Sequence, residues 1–264
     1  MEQATRFQNI LYEVKPDGVA WVTLNRPDAL NSFTGDLLAE LAAAFHQARQ
    51  NEEVRVVVIT GAGRAFCAGQ DLRANPDAIN DLKTWLKTTY RPMLMALQDL
   101  AKPTVAMVNG VAAGAGFSLA LACDFRVASA KARFVPAFGK IALVPDSGMS
   151  INLPRLIGYG RALELLGLSR DLTGEEAFAW GLVNRVCPPD ELVDKTTELA
   201  GQLAQVAPLA FSHTKDLLQR APLLTLNEAL ALEEAAQGRV GSSADFREGL
   251  AAFEEKRPPR FSGK

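Results

Sequence analysis

The chain reads as an α/β protein with an added helical tail, and three observations predict this. Apolar β-type runs alternate with helical patterns up to about residue 190. Beyond Val183 to Val186 the pattern becomes almost wholly helical. The 264 residues, 48% hydrophobic and 22% charged, supply enough apolar material for a full core. We expect a core over residues 1–190 and a helical region over 191–264.

The elements follow in order. Ile10 to Val14 and Val19 to Leu24 predict two strands, joined by Lys15-Pro16-Asp17-Gly18, a turn with Pro and Gly in turn positions. Thr34 suits the N-cap of a helix whose stripe is Leu37, Leu38, Leu41, Ala42 and Phe45. Val54 to Thr60 is a continuous β-branched run, as in a strand buried on both faces. A helical stretch from about Ile79 to Leu100 stops near Pro103. Thr104 to Val108 is strand-like, helix returns from Gly114, and Phe125 to Ala128 predicts a further short strand. Thr173-x-x-Glu176 has capping-box spacing. Helices are then expected over Pro189–Val206, Leu209–Arg220, Leu226–Arg239 and Ala244–Lys256.

Composition removes several functions. A formal charge of −2 provides no net basic field for a nucleic-acid backbone. Cys67, Cys123 and Cys187 lack metal or redox spacing, which favours free thiols and a cytoplasmic location. No secretory h-region follows Met1, and no apolar run reaches membrane-spanning length. We expect no metal, no nucleic-acid partner and no membrane partner.

Two stretches could carry chemistry. Ala113-Gly114-Ala115-Gly116-Phe117-Ser118 is a small-residue turn opening an apolar run, which leaves N–H groups at a helix start free for a ligand oxygen. Small residues also occur where a helix crosses a strand closely. GxGxxG fails at Leu119 and no Gly-Lys-Ser/Thr follows, so dinucleotide and phosphate-loop readings drop away. Ala68-Gly69-Gln70-Asp71 could supply a second free N–H, or be an ordinary strand-to-loop turn with Asp71 as a cap. Asp146, in Val144-Pro145-Asp146-Ser147-Gly148, reads either as a helix cap or as a proton carrier. If Phe138, Ile141, Leu143 and Val144 pack around it, desolvation raises its pKa and makes it a better base.

Ordered matches then accumulate. They include Asn25-Arg26-Pro27 with Asn31, Phe66 to Asp71, Asn109-Gly110, Gly114 to Gly116, Asp124 and Leu153-Pro154-Arg155. Ala177 with Trp180-Gly181-Leu182-Val183, Arg247-Glu248-Gly249, Phe253 and Lys256-Arg257 continue the series. Together they resemble the crotonase (enoyl-CoA hydratase/isomerase) superfamily over nearly the whole chain. The resemblance implies a spiral of ββα units with a C-terminal helical oligomerisation domain, forming homotrimers that often pair as dimers of trimers. It implies an acyl-CoA thioester substrate, with no cofactor apart from the CoA that belongs to the substrate. Ala68 and Ala115 would donate the two oxyanion-hole N–H groups. Arg26, Ala29 and the loop Ala68, Gly69, Gln70, Asp71 and Leu72 would line the CoA site, Gly116 and Phe138 would belong to the substrate site, and Lys256 would reach a neighbouring subunit's CoA.

The departures narrow the reaction. The family's hydratases place glutamates where this chain has Ser118 and Phe138, so ordinary hydration is not expected. Asp146 instead matches the working aspartate of dienoyl-CoA isomerases, phenylacetate-pathway isomerases and chlorobenzoyl-CoA dehalogenases. The dehalogenase histidine has no counterpart between Ile79 and Leu100. Ala137-Phe138-x-Lys140, Pro145 to Gly148 and the ending Ser243 to Gly249 through Phe261 to Lys264 resemble the phenylacetate branch, whose isomerases take ring-epoxidised phenylacetyl-CoA to oxepin-CoA. Alternatives are an aliphatic enoyl- or dienoyl-CoA isomerase using the same Asp146, and a non-catalytic RNA-binding relative.

Overall fold

The computed structural model describes residues 7–74 and 80–264. Strands β1 (Ile10–Val14) and β2 (Val19–Leu24) form an antiparallel hairpin with the expected bounds. Helix α1 (Gly35–Gln50) begins where Thr34 Oγ1 accepts the Leu37 N–H at 3.2 Å. It buries Leu37, Leu38, Leu41, Ala44, Phe45 and Ala48. Strands β3 (Val56–Gly61), β5 (Thr104–Val108), β7 (Phe125–Ser129) and β10 (Arg185–Cys187) complete a six-stranded sheet in the order β1-β2-β3-β5-β7-β10.

Both faces of this sheet are covered, which accounts for its unbroken apolar strands. Val57 and Ile59 of β3 face the main core with α1, while Val56 and Val58 face the opposite way. On that second face lies α8 (Leu192–Ala204), which buries Leu192, Ala200 and Ala204 against Val56, Val58, Val105 and Val127. This first helix after residue 190 therefore packs as part of the α/β core.

A second sheet arises because β3, β5 and β7 are each followed closely by a very short strand. It contains β4 (Ala65–Cys67), β6 (Val111–Ala113), β8 (Arg133–Val135) and β9 (Leu172–Thr173) in the order β4-β6-β8-β9. These strands of two or three residues are too short for periodicity to mark. Helix α4 (Ala115–Ala122) follows β6. The expected stretch from Ile79 to Leu100 contains α2 (Leu82–Trp85), a π-helical turn at Leu86–Tyr90 and α3 (Arg91–Gln98); its start at Ile79 lies outside the described residues.

The remaining helices are α5 (Met149–Ile157), α6 (Tyr159–Gly167), α7 (Gly174–Ala179), α9 (Pro208–Arg220), α10 (Leu226–Val240) and α11 (Ala244–Glu255). Thr173 and Glu176 form the expected capping box of α7. Helix α9 is tied to the core by Lys215 Nζ, 2.8 Å from Asp124 Oδ2. The Thr104 N–H and hydroxyl donate to the same carboxylate oxygen at 2.9 and 2.8 Å. Both side chains of the ion pair are largely buried, so removing the cation leaves a charge with poor access to water. Lys215→Met should cost about 2–3 kcal/mol in chemical denaturation, moderated by the two Thr104 bonds that remain. Pairing it with Asp124→Asn should recover part of that loss.

Candidate active site

Parallel pairing places the two candidate loops together. Strands β4 and β6 run side by side with Ala65 opposite Val111 and Cys67 opposite Ala112. Their C-terminal ends therefore release the Ala68–Asp71 loop and the Gly114–Ala115 turn at the same edge. Glycine permits the remaining approach. A Cβ on Gly116 would lie 2.3 Å from the Cys67 carbonyl oxygen, and one on Gly69 would lie 2.8 Å from the Ala113 oxygen. Gly69 also has φ +90°, where a side chain is strained. Gly116 is thus a packing contact behind the site and not a pocket wall among the described residues.

Ala115 is the first residue of α4, and its N–H has no acceptor among the described residues. This agrees with a donor at a helix start. Ala68 does not agree with its expected role. Its N–H donates to the Leu30 carbonyl at 3.0 Å and is already occupied. The open donor on this loop is Gln70. Phe33 pairs across it, its N–H bonding the Gly69 carbonyl at 2.7 Å and its own carbonyl accepting from Asp71 N–H at 3.0 Å. That pattern leaves the Gln70 N–H without an acceptor among the described residues.

Asp146 is no helix cap. Gly148 occupies the N-cap of α5, and no described side chain caps that helix end. The Asp146 backbone carbonyl is held by the Ser118 hydroxyl at 3.0 Å and the Met149 N–H at 3.0 Å. Its Oδ1 is buried without a hydrogen-bond partner among the described residues. Burial pushes its carboxyl pKa up, and the adjacent Ser147 hydroxyl offsets part of that rise without a hydrogen bond of normal geometry.

Asp146 opens on a cavity of about 280 Å³. Gln70 and Ala115 line it beside Asp146, with Trp85, Tyr90 and Phe138 as aromatic walls. Leu82, Leu86, Ile141 and Leu143 add aliphatic surface. Val144, expected to pack around Asp146, is instead 78% exposed. It sits next to Pro145, on the outer side of the turn.

The other expected residues lie on the cavity, behind its loop or away from it. Ala68, Gly69 and Leu72 line the cavity with Phe138. Arg26 supports the loop from behind, with Nη2 3.0 Å from Asp71 Oδ2 and Nη1 donating to the Ser32 carbonyl at 2.6 Å. Burial opposes ionisation of Asp71, but the Ala74 and Arg73 N–H groups and Arg26 together hold its carboxyl below the usual range. Ala29 ends the short turn Pro27–Ala29 that precedes Leu30. Lys256 is the exposed, left-handed C-cap of α11, away from this cavity among the described residues. No group of His, Cys, Asp and Glu among the described residues could hold a metal ion. No described helix is long and apolar enough to cross a membrane.

Trp85, Leu86 and Tyr90 were not legible as pocket residues. In an α-helix, residues five apart differ by about 140°, so Trp85 and Tyr90 read as facing different ways. The π-helical turn, with its i→i+5 bonding, brings both to the cavity.

Residues 14–264 match the model of the enoyl-CoA hydratase/isomerase family, and the chain belongs to that family. It is 42% identical to the 1,2-epoxyphenylacetyl-CoA isomerase of Escherichia coli over 94% of this chain and 96% of the relative. It is 41% identical to a probable enoyl-CoA hydratase of Rhodobacter capsulatus over 98% and 99%. The crystal structure of an enoyl-CoA hydratase from Bacillus anthracis superposes with a TM-score of 0.92 at 36% identity, covering 97% of this chain and all of that one. The predicted α/β crotonase fold is therefore the observed one. Isomerases and hydratases both occur among the relatives, so the reaction rests on the residues of the site.

The Asp146 environment fixes a sign. A carboxyl whose folded pKa lies above its unfolded value binds its proton more tightly in the native state. Its contribution to stability is full below the unfolded pKa and is lost as pH rises through the folded one. Asp146→Asn should accordingly melt above the wild type at pH 8, with the difference shrinking as pH falls toward 5. Scanning calorimetry across that range checks the trend.

Proposed function

We propose that the chain is an acyl-CoA isomerase that converts ring-epoxidised phenylacetyl-CoA to its seven-membered oxepin-CoA isomer. One observation carries the reading: among the described residues a single carboxylate, Asp146, has an unpartnered buried oxygen on an aromatic-walled cavity that also holds two open N–H donors. Ionised Asp146 takes a proton from the carbon beside the thioester carbonyl. The electron pair of that C–H bond moves into the enolate, whose oxygen receives the Gln70 and Ala115 N–H groups. Such preorganised donors contribute about 3–4 kcal/mol each at the transition state. The carbon–carbon bond shared with the epoxide opens to the seven-membered ring, and Asp146 returns the proton to a ring carbon. Atoms balance, as an isomerisation requires. Trp85, Tyr90 and Phe138 suit a planar ring. The aliphatic walls Leu82, Leu86, Ile141 and Leu143 favour a second reading, double-bond isomerisation of an aliphatic enoyl-CoA by the same aspartate.

Hydration fits poorly. Syn addition of water needs one group to orient the water and another to handle the proton. Ser118 is fully buried and its hydroxyl is committed to the Asp146 carbonyl, while Phe138 carries no polar group. Crotonyl-CoA hydration should therefore be slow or absent. A rate comparable to that of a dedicated hydratase, followed by loss of enoyl absorbance, contradicts this account. Asp146→Asn should fold normally yet lower isomerisation by about 10²–10⁴-fold. Products from aryl and aliphatic enoyl-CoA esters, read by mass and ultraviolet spectrum, test both readings.

The proposed organisation is a homotrimer, with trimers able to pair, formed through the helices after α8. Support comes from apolar exposure: Leu218 is 70%, Leu226 77% and Phe253 83% exposed. Large apolar side chains this exposed on three successive helices gain free energy when an assembly covers them. A partner would cover them and could bring Lys256 toward a neighbouring CoA. Light scattering should find no stable, fully active monomer at micromolar concentration. Cytoplasmic residence is part of the proposal, supported by three buried free cysteines.

A further inference from the structure

The Gln70 side chain is held at both atoms of its amide end. Its Oε1 accepts the Tyr90 hydroxyl at 2.6 Å and the Trp85 indole N–H at 3.1 Å. Its Nε2 lies 3.4 Å from the carbonyls of Phe33 and Asp71. Tyr90 is buried and stands edge-on to the Phe33 ring, with centroids 5.7 Å apart and planes at 89°. Phe33 in turn pairs with the backbone on either side of Gln70. The two donors reach one acceptor because the π-helical turn Leu86–Tyr90 places Tyr90 on the same side as Trp85. That turn is itself pinned, since the Thr88 and Thr89 hydroxyls donate to the Thr84 and Trp85 carbonyls at 2.8 and 2.6 Å. π-helical turns occur often at functional sites.

We propose that Tyr90 and Trp85 are positioning residues that latch the Gln70 side chain and so fix the direction of its backbone N–H toward the thioester oxygen. The inference rests on the reading that the Gln70 and Ala115 N–H groups receive that oxygen, and it concerns how one of them is aimed. Gly69, with φ +90°, immediately precedes the donor, and its carbonyl, in the same peptide unit as the Gln70 N–H, accepts the Phe33 N–H at 2.7 Å. A peptide next to glycine has wide rotational freedom, and a hydrogen bond weakens steeply when its angle closes. The Phe33 bond restrains that peptide on its Gly69 side, and the side-chain latch restrains it on the Gln70 side. It also joins the donor to the cavity wall, because Trp85, Leu86 and Tyr90 line the space for the acyl group. An acyl group packed on those residues is therefore sensed by the donor that polarises its carbonyl.

The test uses the full chain with bound phenylacetyl-CoA, which carries the thioester without the epoxide. Difference infrared spectroscopy reads the thioester carbonyl, which moves to lower frequency as its hydrogen bonds strengthen. Tyr90→Phe keeps the ring against Phe33 and removes only the hydroxyl. It should lose part of the carbonyl shift and lower kcat about 10–100-fold, the penalty of a misplaced reacting geometry, with KM little changed. Trp85→Phe should act in the same direction with smaller effect. Gln70→Leu removes the acceptor, and adding Tyr90→Phe to it should cost nothing further, since both act through one contact. An unchanged carbonyl shift and kcat in Tyr90→Phe overturn the latch, as do additive losses in the Gln70→Leu background. If the ring epoxide is not turned over but the shift is present and falls in Tyr90→Phe, the latch stands and the assigned reaction falls. Absence of any shift in the wild type overturns both.

Discussion

Gly116 meets the Cys67 carbonyl so closely that a single Cβ would approach within 2.3 Å of the oxygen. Through this contact the start of α4 lies directly on the end of β4. The two loops that carry open N–H groups are then neighbours by construction, and Asp146 can face them from the segment following β8. The short parallel strands β4, β6 and β8 supply the alignment, with Ala112 opposite Phe134 and Ala113 opposite Val135 continuing the register. Rigid strands set the position of the site, while the chemistry comes from backbone N–H groups and one carboxylate. Sites built this way are held more closely than sites on free loops.

Asp146 is costly to the fold for the reason that makes it useful. A buried carboxylate oxygen with no donor among the described residues destabilises the ionised form and raises its basicity. Its backbone, by contrast, is fixed by Ser118 and Met149. The main chain is anchored while the carboxyl group is left free to gain and lose a proton. Two carboxylates so placed would oppose each other's ionisation, whereas one is enough to carry a proton out and back. Ser118 thus does more than vacate a position. It holds the turn that presents the acid.

Much of the fold was legible because local and tertiary preferences agree. The hairpin β1–β2, strand β5, the Thr34 cap and the Thr173–Glu176 capping box all lie where the residues predict them. The four short strands were not legible, since two or three residues carry no period. In the site, Ala115 starts α4 and lines the same cavity as Asp146, a meeting that their separation in sequence does not reveal. Ala68 was misread because its N–H meets a carbonyl from Leu30, which lies far back in sequence and takes φ +51°. No spacing rule reveals which of two N–H groups, two residues apart, a distant carbonyl will occupy. The aromatic wall was hidden by the π-helical turn, which breaks the 3.6-residue period at the residues that face the ligand.

The central claim is that this site forms an enolate at the carbon beside a thioester, with Asp146 as the base. Proton NMR of phenylacetyl-CoA in deuterium oxide tests it without any completed isomerisation. The account predicts that the wild-type chain exchanges the two protons beside the carbonyl for deuterium and that Asp146→Asn leaves them in place. Equal exchange by the Asn variant, or no exchange by the wild type with the ligand bound, would contradict it.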